Sequence, residues 1–95
     1  MSGKTIAIEE FDDTDLALRE ILRDVLALSP ERVTGFSSDT GLFGHLPELD
    51  SMAVAGLLTG IEDQFDIVIE DDEVDGEMLE TYGALLAFVT AKLAG

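Results

Sequence analysis

The sequence predicts an all-α fold, a small bundle of three main helices plus a short extra helix, with a long loop between helices one and two. Apolar residues recur at helical spacing in three separate stretches. Turn-forming residues fill the segment between the first and second stretches. The one extended apolar run, residues 67–69, is too short to support a sheet by itself. A helical bundle is therefore expected.

Helix one is predicted by apolar residues that recur three or four positions apart. They are Leu18, Ile21, Leu22, Val25 and Leu28. Thr14 or a nearby aspartate is the expected N-cap. Ser29-Pro30 is expected to end the helix, because the residue before a proline disfavours helical backbone.

The long loop between Pro30 and Asp50 is predicted from its glycine, serine, threonine and proline content. At about twenty residues it exceeds the usual connection between helices, and loops of that length are often functional. Apolar side chains are expected to hold it against the core. They are Val33, Phe36, Leu42, Phe43 and Leu46.

Helix two is expected to begin right after Asp50-Ser51, and the last helix after Thr81, its expected N-cap. Their apolar stripes are Val54, Leu57, Leu58, Ile61 and Phe65, and then Tyr82, Leu85, Leu86, Val89 and Leu93. The short extra helix is expected around residues 77–79. Gly56 and Gly60 each lower helix propensity by about 1 kcal/mol. Their small size predicts the close approach of a neighbouring helix or of a partner surface.

The composition predicts a single domain over residues 1–95, because 46% hydrophobic residues is too apolar for a disordered chain. Residues 1–11 have no clear period and are expected to form a flexible or surface-lying N-terminal extension. No stretch resembles a signal peptide, and none approaches the roughly eighteen apolar residues of a membrane span. Together with the absence of cysteine, this favours a cytoplasmic protein.

The net charge of −16 excludes nucleic acid as an expected partner and favours basic proteins. Asp71, Glu73, Asp75 and Gly76 match the start of a calcium-binding loop. The closing position, which needs a bidentate glutamate, is Tyr82, so no specific metal site is expected. Weak binding of divalent cations to the acidic segment 70–75, or a purely solvated charge run, is the expected behaviour.

Ser51 stands where the long loop meets helix two, and it has two interpretations. Either Asp50 or Ser51 caps the helix, or the hydroxyl carries a phosphate ester, which a helix N-terminus tolerates. Serine catalysis is not expected, because no G-x-S-x-G elbow surrounds Ser51. The single histidine, His45, is interpreted as loop surface, and no catalytic residue is assigned.

The order and spacing of the motifs then indicate a family. Leu49-Asp50-Ser51-Met52, followed by an apolar helix ending Ile61-Glu62-Asp63-Gln64-Phe65-Asp66, resembles an acyl carrier protein. The resemblance extends over residues 13–93, including the long loop. It implies a non-enzymatic carrier in which Ser51 is esterified by 4′-phosphopantetheine, whose thiol bears the acyl group. The cofactor then provides the reactive thiol that this chain lacks.

The resemblance also implies roles for neighbouring residues. Asp50 would be recognised by the phosphopantetheinyl transferase, and Met52 would make an apolar contact at the start of helix two. Val54, Leu58 and Ile61 would help line the bundle interior. The expected partner surface comprises Glu48, Asp50, Met52, Ala53, Glu62 and Asp63.

The expected partners are the transferase, an acyl-loading ligase or acyltransferase, and a ketosynthase or another acyl-processing enzyme, with the carrier itself a monomer. A specialised lipid, polyketide or related pathway is favoured, because the exposed side of helix two contains Ala53, Gly56, Thr59 and Gly60 instead of a strongly acidic row. Two alternatives remain open. One is an aminoacyl or peptidyl carrier for an adenylating ligase, and the other is an acidic interaction or cation-responsive protein in which Ser51 is only a helix cap.

Overall fold

The computed structural model describes residues 13–94 and confirms the all-α prediction. In chain order the helices are α1 (Asp13–Leu26), α2 (Pro30–Thr34), α3 (Ser51–Phe65) and α4 (Tyr82–Ala94). A 3-10 turn, Asp71–Glu73, follows α3. Within the described residues there is no strand, only an isolated bridge between Gly41 and Thr81. The expected N-terminal extension, residues 1–11, lies outside the described residues.

The short helix is α2, which lies inside the predicted loop and not at residues 77–79. Those residues form turns. Ser29 caps α2, because its side chain accepts a hydrogen bond from the Arg32 backbone N–H at 3.3 Å, and Pro30 occupies the first helical position. Proline is favoured there because its fixed φ suits a helix and its missing N–H would have no intrahelical acceptor. The prediction that Ser29-Pro30 ends helix one was therefore wrong: α1 ends at Leu26 and the pair starts the next helix.

The other predicted caps were Thr14 for the first helix and Thr81 for the last. Thr14 lies inside α1 and not ahead of it. Thr81 caps α4 as expected, since its hydroxyl accepts from the Ala84 backbone N–H at 3.1 Å. This bond satisfies one of the N–H groups that a helix start leaves without an intrahelical partner.

A single apolar core joins the three main helices to the loop. α1 packs against α2, α3 and α4. Eight side chains are less than 2% exposed: Tyr82, Leu18, Leu22, Leu42, Leu57, Ile61, Leu85 and Val89. Among the residues expected to line the interior, Ile61 is fully buried, whereas Val54 and Leu58 are half-buried. No helix among residues 13–94 is long and apolar enough to cross a bilayer.

The long loop is held in place by the segment that leads into α4. The Leu42 N–H donates to the Glu80 carbonyl at 2.8 Å, and the Tyr82 N–H donates to the Thr40 carbonyl at 2.8 Å. Val33, Phe36 and Leu42 are buried, as predicted for residues that pin the loop. Leu46 is half-buried and also packs against the core, whereas Phe43, the remaining predicted anchor, is 43% exposed. These contacts fix the residues that precede α3.

A buried polar cluster connects α1 with α4. The Tyr82 hydroxyl donates to the Asp15 carboxylate, and the Arg19 guanidinium bonds the same carboxylate at 3.0 Å and the Val33 carbonyl of α2. Burial and the hydrogen bond to Asp15 raise the pKa of Tyr82 above its ordinary value. Arg19 also lies 4.8 Å from the centre of the Tyr82 ring. The cluster therefore links three helices.

Gly60 marks a close approach between helices, one of the two alternatives expected from its size. A Cβ built there would lie 3.2 Å from Ile21 Cγ2 of α1. At Gly56 the nearest atom, Val25 Cγ1, would be 3.7 Å away, an ordinary contact distance. Packing on α1 therefore accounts for Gly60, and nothing in the fold requires a glycine at position 56.

Candidate functional site

The start of α3 is capped by Asp50 and not by Ser51. The Asp50 carboxylate accepts a hydrogen bond from the Ala53 backbone N–H at 2.9 Å, and its carbonyl accepts from the Val54 N–H at 2.9 Å. The backbone of Asp50 is extended, as is usual at an N-cap. Ser51 is the first residue of the helix. The interpretation of Ser51 as only a helix cap loses its structural basis, because another side chain performs that role.

The Ser51 side chain is exposed, and its hydroxyl makes no hydrogen bond within residues 13–94. The backbone N–H groups of Ser51 and Met52 likewise meet no acceptor in that part of the chain. Free N–H groups and the helix dipole make a helix start compatible with an anionic group. The site therefore combines an accessible hydroxyl with surroundings that tolerate a phosphate ester.

Two shallow grooves meet at Ser51. The first, of about 450 Å³, is formed mainly by the loop. Its lining residues are Phe43, Gly44, His45, Leu46, Pro47, Leu49, Asp50 and Ser51. The second, of about 330 Å³, shares Phe43 and Ser51 with the first, and Val54, Val74 and Leu79 also line it. A flexible group attached at Ser51 has both grooves within reach.

Apolar and uncharged residues dominate the exposed side of α3 near Ser51. Met52 is 84% exposed, the highest value among the exposed large hydrophobic side chains of the described chain. Ala53 is half-buried. No acidic residue occurs in α3 before Glu62, although the chain has 21 acids. An exposed methionine in an uncharged setting is typical of a surface that other proteins contact.

The predicted acidic partner residues have different environments. Glu48 is half-buried, and its carboxylate lies 2.7 Å from the Arg32 guanidinium, which lowers the pKa of Glu48. Glu62 accepts from the Ile69 backbone N–H at 2.7 Å, whereas Asp63 is exposed. Glu62 and Asp63 lie about 16 to 18 Å from Ser51 along the helix, at 1.5 Å per residue. The structure therefore groups Glu48, Asp50, Met52 and Ala53 around Ser51, and separates the other two acids.

The acidic segment does not form a calcium-binding loop. Tyr82, at the position that should close the coordination shell, is buried against Asp15. Glu73 pairs with Lys92 at 2.9 Å, and Asp75 accepts from the Met78 N–H at 2.9 Å. Across residues 13–94 no three acidic or histidine side chains are grouped as metal ligands would be.

Comparison with known proteins decides the family. The family model described as "Phosphopantetheine attachment site" matches residues 16–89, which is most of the chain. The chain belongs to this family. An acyl carrier protein from an Exiguobacterium species is 35% identical over 82 residues, which are 85% of this chain and 90% of that protein. The solution structure of the holo acyl carrier protein from Nitrosomonas europaea has 42% identity and a TM-score of 0.79, and the match covers 88% of this chain and all of that one.

These matches identify the family as that of the acyl carrier proteins, which are carriers and not enzymes and hold 4′-phosphopantetheine covalently. The cofactor supplies a thiol on which cargo is held as a thioester. The residues present fit this group, since Ser51 offers an exposed and unbonded hydroxyl at the start of a helix. His45 is an exposed loop residue, as expected, and it also lines a groove with Ser51. No motif in the sequence signals this second feature.

Proposed function

We propose that Ser51 carries the phosphopantetheine arm, and that the protein presents acyl thioesters to enzymes of a specialised lipid, polyketide or related pathway. The exposed, unbonded Ser51 hydroxyl at the start of α3 supports this most strongly. A transferase can approach a hydroxyl that no residue of the range 13–94 covers or binds. The carrier domain is expected to occupy the whole chain as a cytoplasmic monomer.

Because it caps α3, Asp50 has a structural role in addition to its proposed recognition by the transferase. By occupying the Ala53 N–H at 2.9 Å, the Asp50 carboxylate holds the first turn of the helix in register. Ser51 is thereby fixed at the first helical position with its hydroxyl in solvent. In this proposal Asp50 both presents Ser51 and is recognised by the phosphopantetheinyl transferase.

The second groove is the proposed shelter for acyl cargo. Its walls include Val54, Val74 and Leu79, and Phe43 and Ser51 stand at its edge. Covering an acyl chain with such side chains would gain about 0.8 kcal/mol for each buried CH₂. A groove of about 330 Å³ has room for only a short chain or part of a longer one. The interior residue Ile61, already fully buried, would be reached only if the core opened.

The proposed docking surface comprises Glu48, Asp50, Met52, Ala53, Glu62 and Asp63. Met52 is its main apolar contact, and its exposed position fits insertion into a pocket of a ketosynthase or an acyl-loading enzyme. The −16 net charge would draw basic partners from a distance, while the uncharged start of α3 allows close contact. Asp63 is exposed, and no hydrogen bond or ion pair from residues 13–94 holds its carboxylate, so it is open to an ion pair with a partner.

Coexpression with a broad-specificity phosphopantetheinyl transferase tests the proposal. The mass of the protein should increase by one phosphopantetheine, and Ser51→Ala should abolish the increase. Ser29→Ala is a matched control, because Ser29 also stands at a helix start but accepts a hydrogen bond from Arg32. An unmodified wild type, under conditions that convert a control carrier, would contradict the proposal. The thioester found on the arm in the native host would then separate acyl cargo from aminoacyl cargo.

A further inference from the structure

His45 lines the same groove as Ser51. Both residues line the groove of about 450 Å³, and the His45 side chain is exposed. The turn that presents His45 is anchored, because the His45 and Leu46 N–H groups donate to the Leu42 carbonyl at 2.9 and 2.8 Å. Leu42 is fully buried. The backbone that carries the imidazole is therefore a hydrogen-bonded turn anchored on a buried residue.

The imidazole itself packs on Gly41. A Cβ built on Gly41 would lie 2.4 to 2.7 Å from three atoms of the His45 side chain. Such distances are well inside van der Waals contact, which is about 3.5–4.0 Å between carbon atoms. The missing side chain at position 41 thus leaves the space that the imidazole occupies. Any larger residue there would displace the ring.

The charge around Ser51 makes His45 distinctive. The chain has 21 acidic residues against five lysines and arginines. The side chains that line the two grooves are apolar, acidic or hydroxyl-bearing, with the exception of His45. His45 alone among them has a ring N–H, and it gains a positive charge when protonated. Asp50, the acid in the same groove, already accepts from Ala53 and would repel a second anion.

We propose that His45 is a positioning residue for the phosphopantetheine arm, whose imidazole N–H donates a hydrogen bond to the phosphodiester attached at Ser51. The inference rests on the proposed function, because it assumes attachment at that serine. The bond directs the start of the arm along the groove that His45 and Ser51 share. The apolar groove beside Val54 and Leu79 is left for cargo.

Nuclear magnetic resonance of the apo and holo proteins tests the contact directly. The chain has one histidine, so its imidazole signals are unambiguous. Conversion from apo to holo should shift the ring-proton signals of His45 and give nuclear Overhauser contacts between the ring and the first groups of the arm. In holo His45→Ala the phosphorus signal should move and the arm should lose its fixed orientation. His45→Arg keeps a donor and should recover the wild-type phosphorus signal at least in part.

Gly41→Ala is a second, independent variant, since it displaces the ring without deleting it. Its holo form should lose the contacts between the ring and the arm. Amide spectra of each variant verify that the fold is retained, and Lys92→Ala, a change in the last helix, is the control that should leave the phosphorus signal unchanged. Intact mass separates the two claims. An unmodified wild type would contradict the proposed function and this inference together, whereas a modified protein with unperturbed His45 signals would overturn the inference alone.

Discussion

Ser51 and Tyr82 have the same local setting and opposite environments. Each is the first residue of its helix, and each follows a capping residue, Asp50 or Thr81, whose side chain accepts from a backbone N–H in the first turn. Tyr82 is 1% exposed and its hydroxyl is bonded to Asp15. Ser51 is exposed and its hydroxyl has no partner within the described chain.

The difference between the two hydroxyls comes from tertiary contacts and not from the helix start. α1 supplies Asp15 and Arg19 to cover Tyr82, and Phe36 of the loop packs its ring 5.7 Å from the Tyr82 ring. At the start of α3 the loop instead leaves two grooves. The bonded hydroxyl stabilises the bundle. The uncovered one is free for modification and contributes little to folding.

The largest expected effect is on Tyr82. Tyr82→Phe removes the donor to the Asp15 carboxylate in a buried site. The free energy of unfolding should fall by about 1–3 kcal/mol, the usual effect of leaving a buried polar group short of a partner. Urea unfolding measures it. A variant as stable as wild type would mean that the buried cluster does not hold α4 against α1.

High pH should produce the next effect. Burial and Asp15 raise the pKa of Tyr82, so the hydroxyl stays protonated in the fold at a pH where the unfolded chain releases its proton. The associated stability is fully present below the ordinary value of 10.0 and is lost as the pH rises above it. The measurement is the free energy of unfolding of wild type and Tyr82→Phe from neutral pH to above 10.0. The difference in the free energy of unfolding between the two proteins should become smaller as the pH rises. A constant difference would contradict the raised pKa.

Salt should produce a smaller effect. Exposed carboxylates dominate a chain of charge −16, and raising the ionic strength to 1 M shortens the screening length to about 3 Å. A gain of about 1 kcal/mol is expected, which corresponds to about 4–8 °C in Tm for a domain of this size. Thermal melts in sodium chloride measure this gain. Tyr82→Phe is the comparison and should gain as much as wild type, because the buried cluster that it alters is shielded from salt. A Tm that does not change would show that repulsion is unimportant.

The smallest effect on stability is expected at Ser51. Ser51→Ala removes an exposed and unbonded hydroxyl, so the free energy of unfolding should change by less than about 0.5 kcal/mol. Asp50→Ala is the contrast, because it removes the cap and should cost about 1 kcal/mol. Urea unfolding of the two variants side by side decides it. If Ser51→Ala lowered the free energy of unfolding more than Asp50→Ala, the cap would have to be assigned to Ser51.

The sequence was sufficient for the main helices and for the position of Ser51, and it was insufficient where the structure depends on distant contacts. The stripes of α1, α3 and α4 are long enough to show their period. α2 has only five residues, so Pro30 was interpreted as a helix end when it begins a helix. The bond between Tyr82 and Asp15 joins residues 67 positions apart. No local pattern contains it.

The acids of the expected partner surface also have contacts that the sequence does not predict. Their presence could be predicted from the sequence, but not that the Arg32 guanidinium pairs with Glu48 or that the Ile69 N–H donates to Glu62. Both bonds depend on how the loop and the end of α3 fold back, and neither follows from the spacing of charges. By contrast, the separation of Glu62 and Asp63 from Ser51 follows directly from their positions along one helix.

The protein purified from its native host provides the most direct test, by fragment mass spectrometry that locates the arm. We expect one phosphopantetheine, carried on Ser51, with an acyl group on its thiol in part of the population. An arm located on any other residue, or a native protein without an arm, would show that the uncovered hydroxyl at the start of α3 is not the point of attachment.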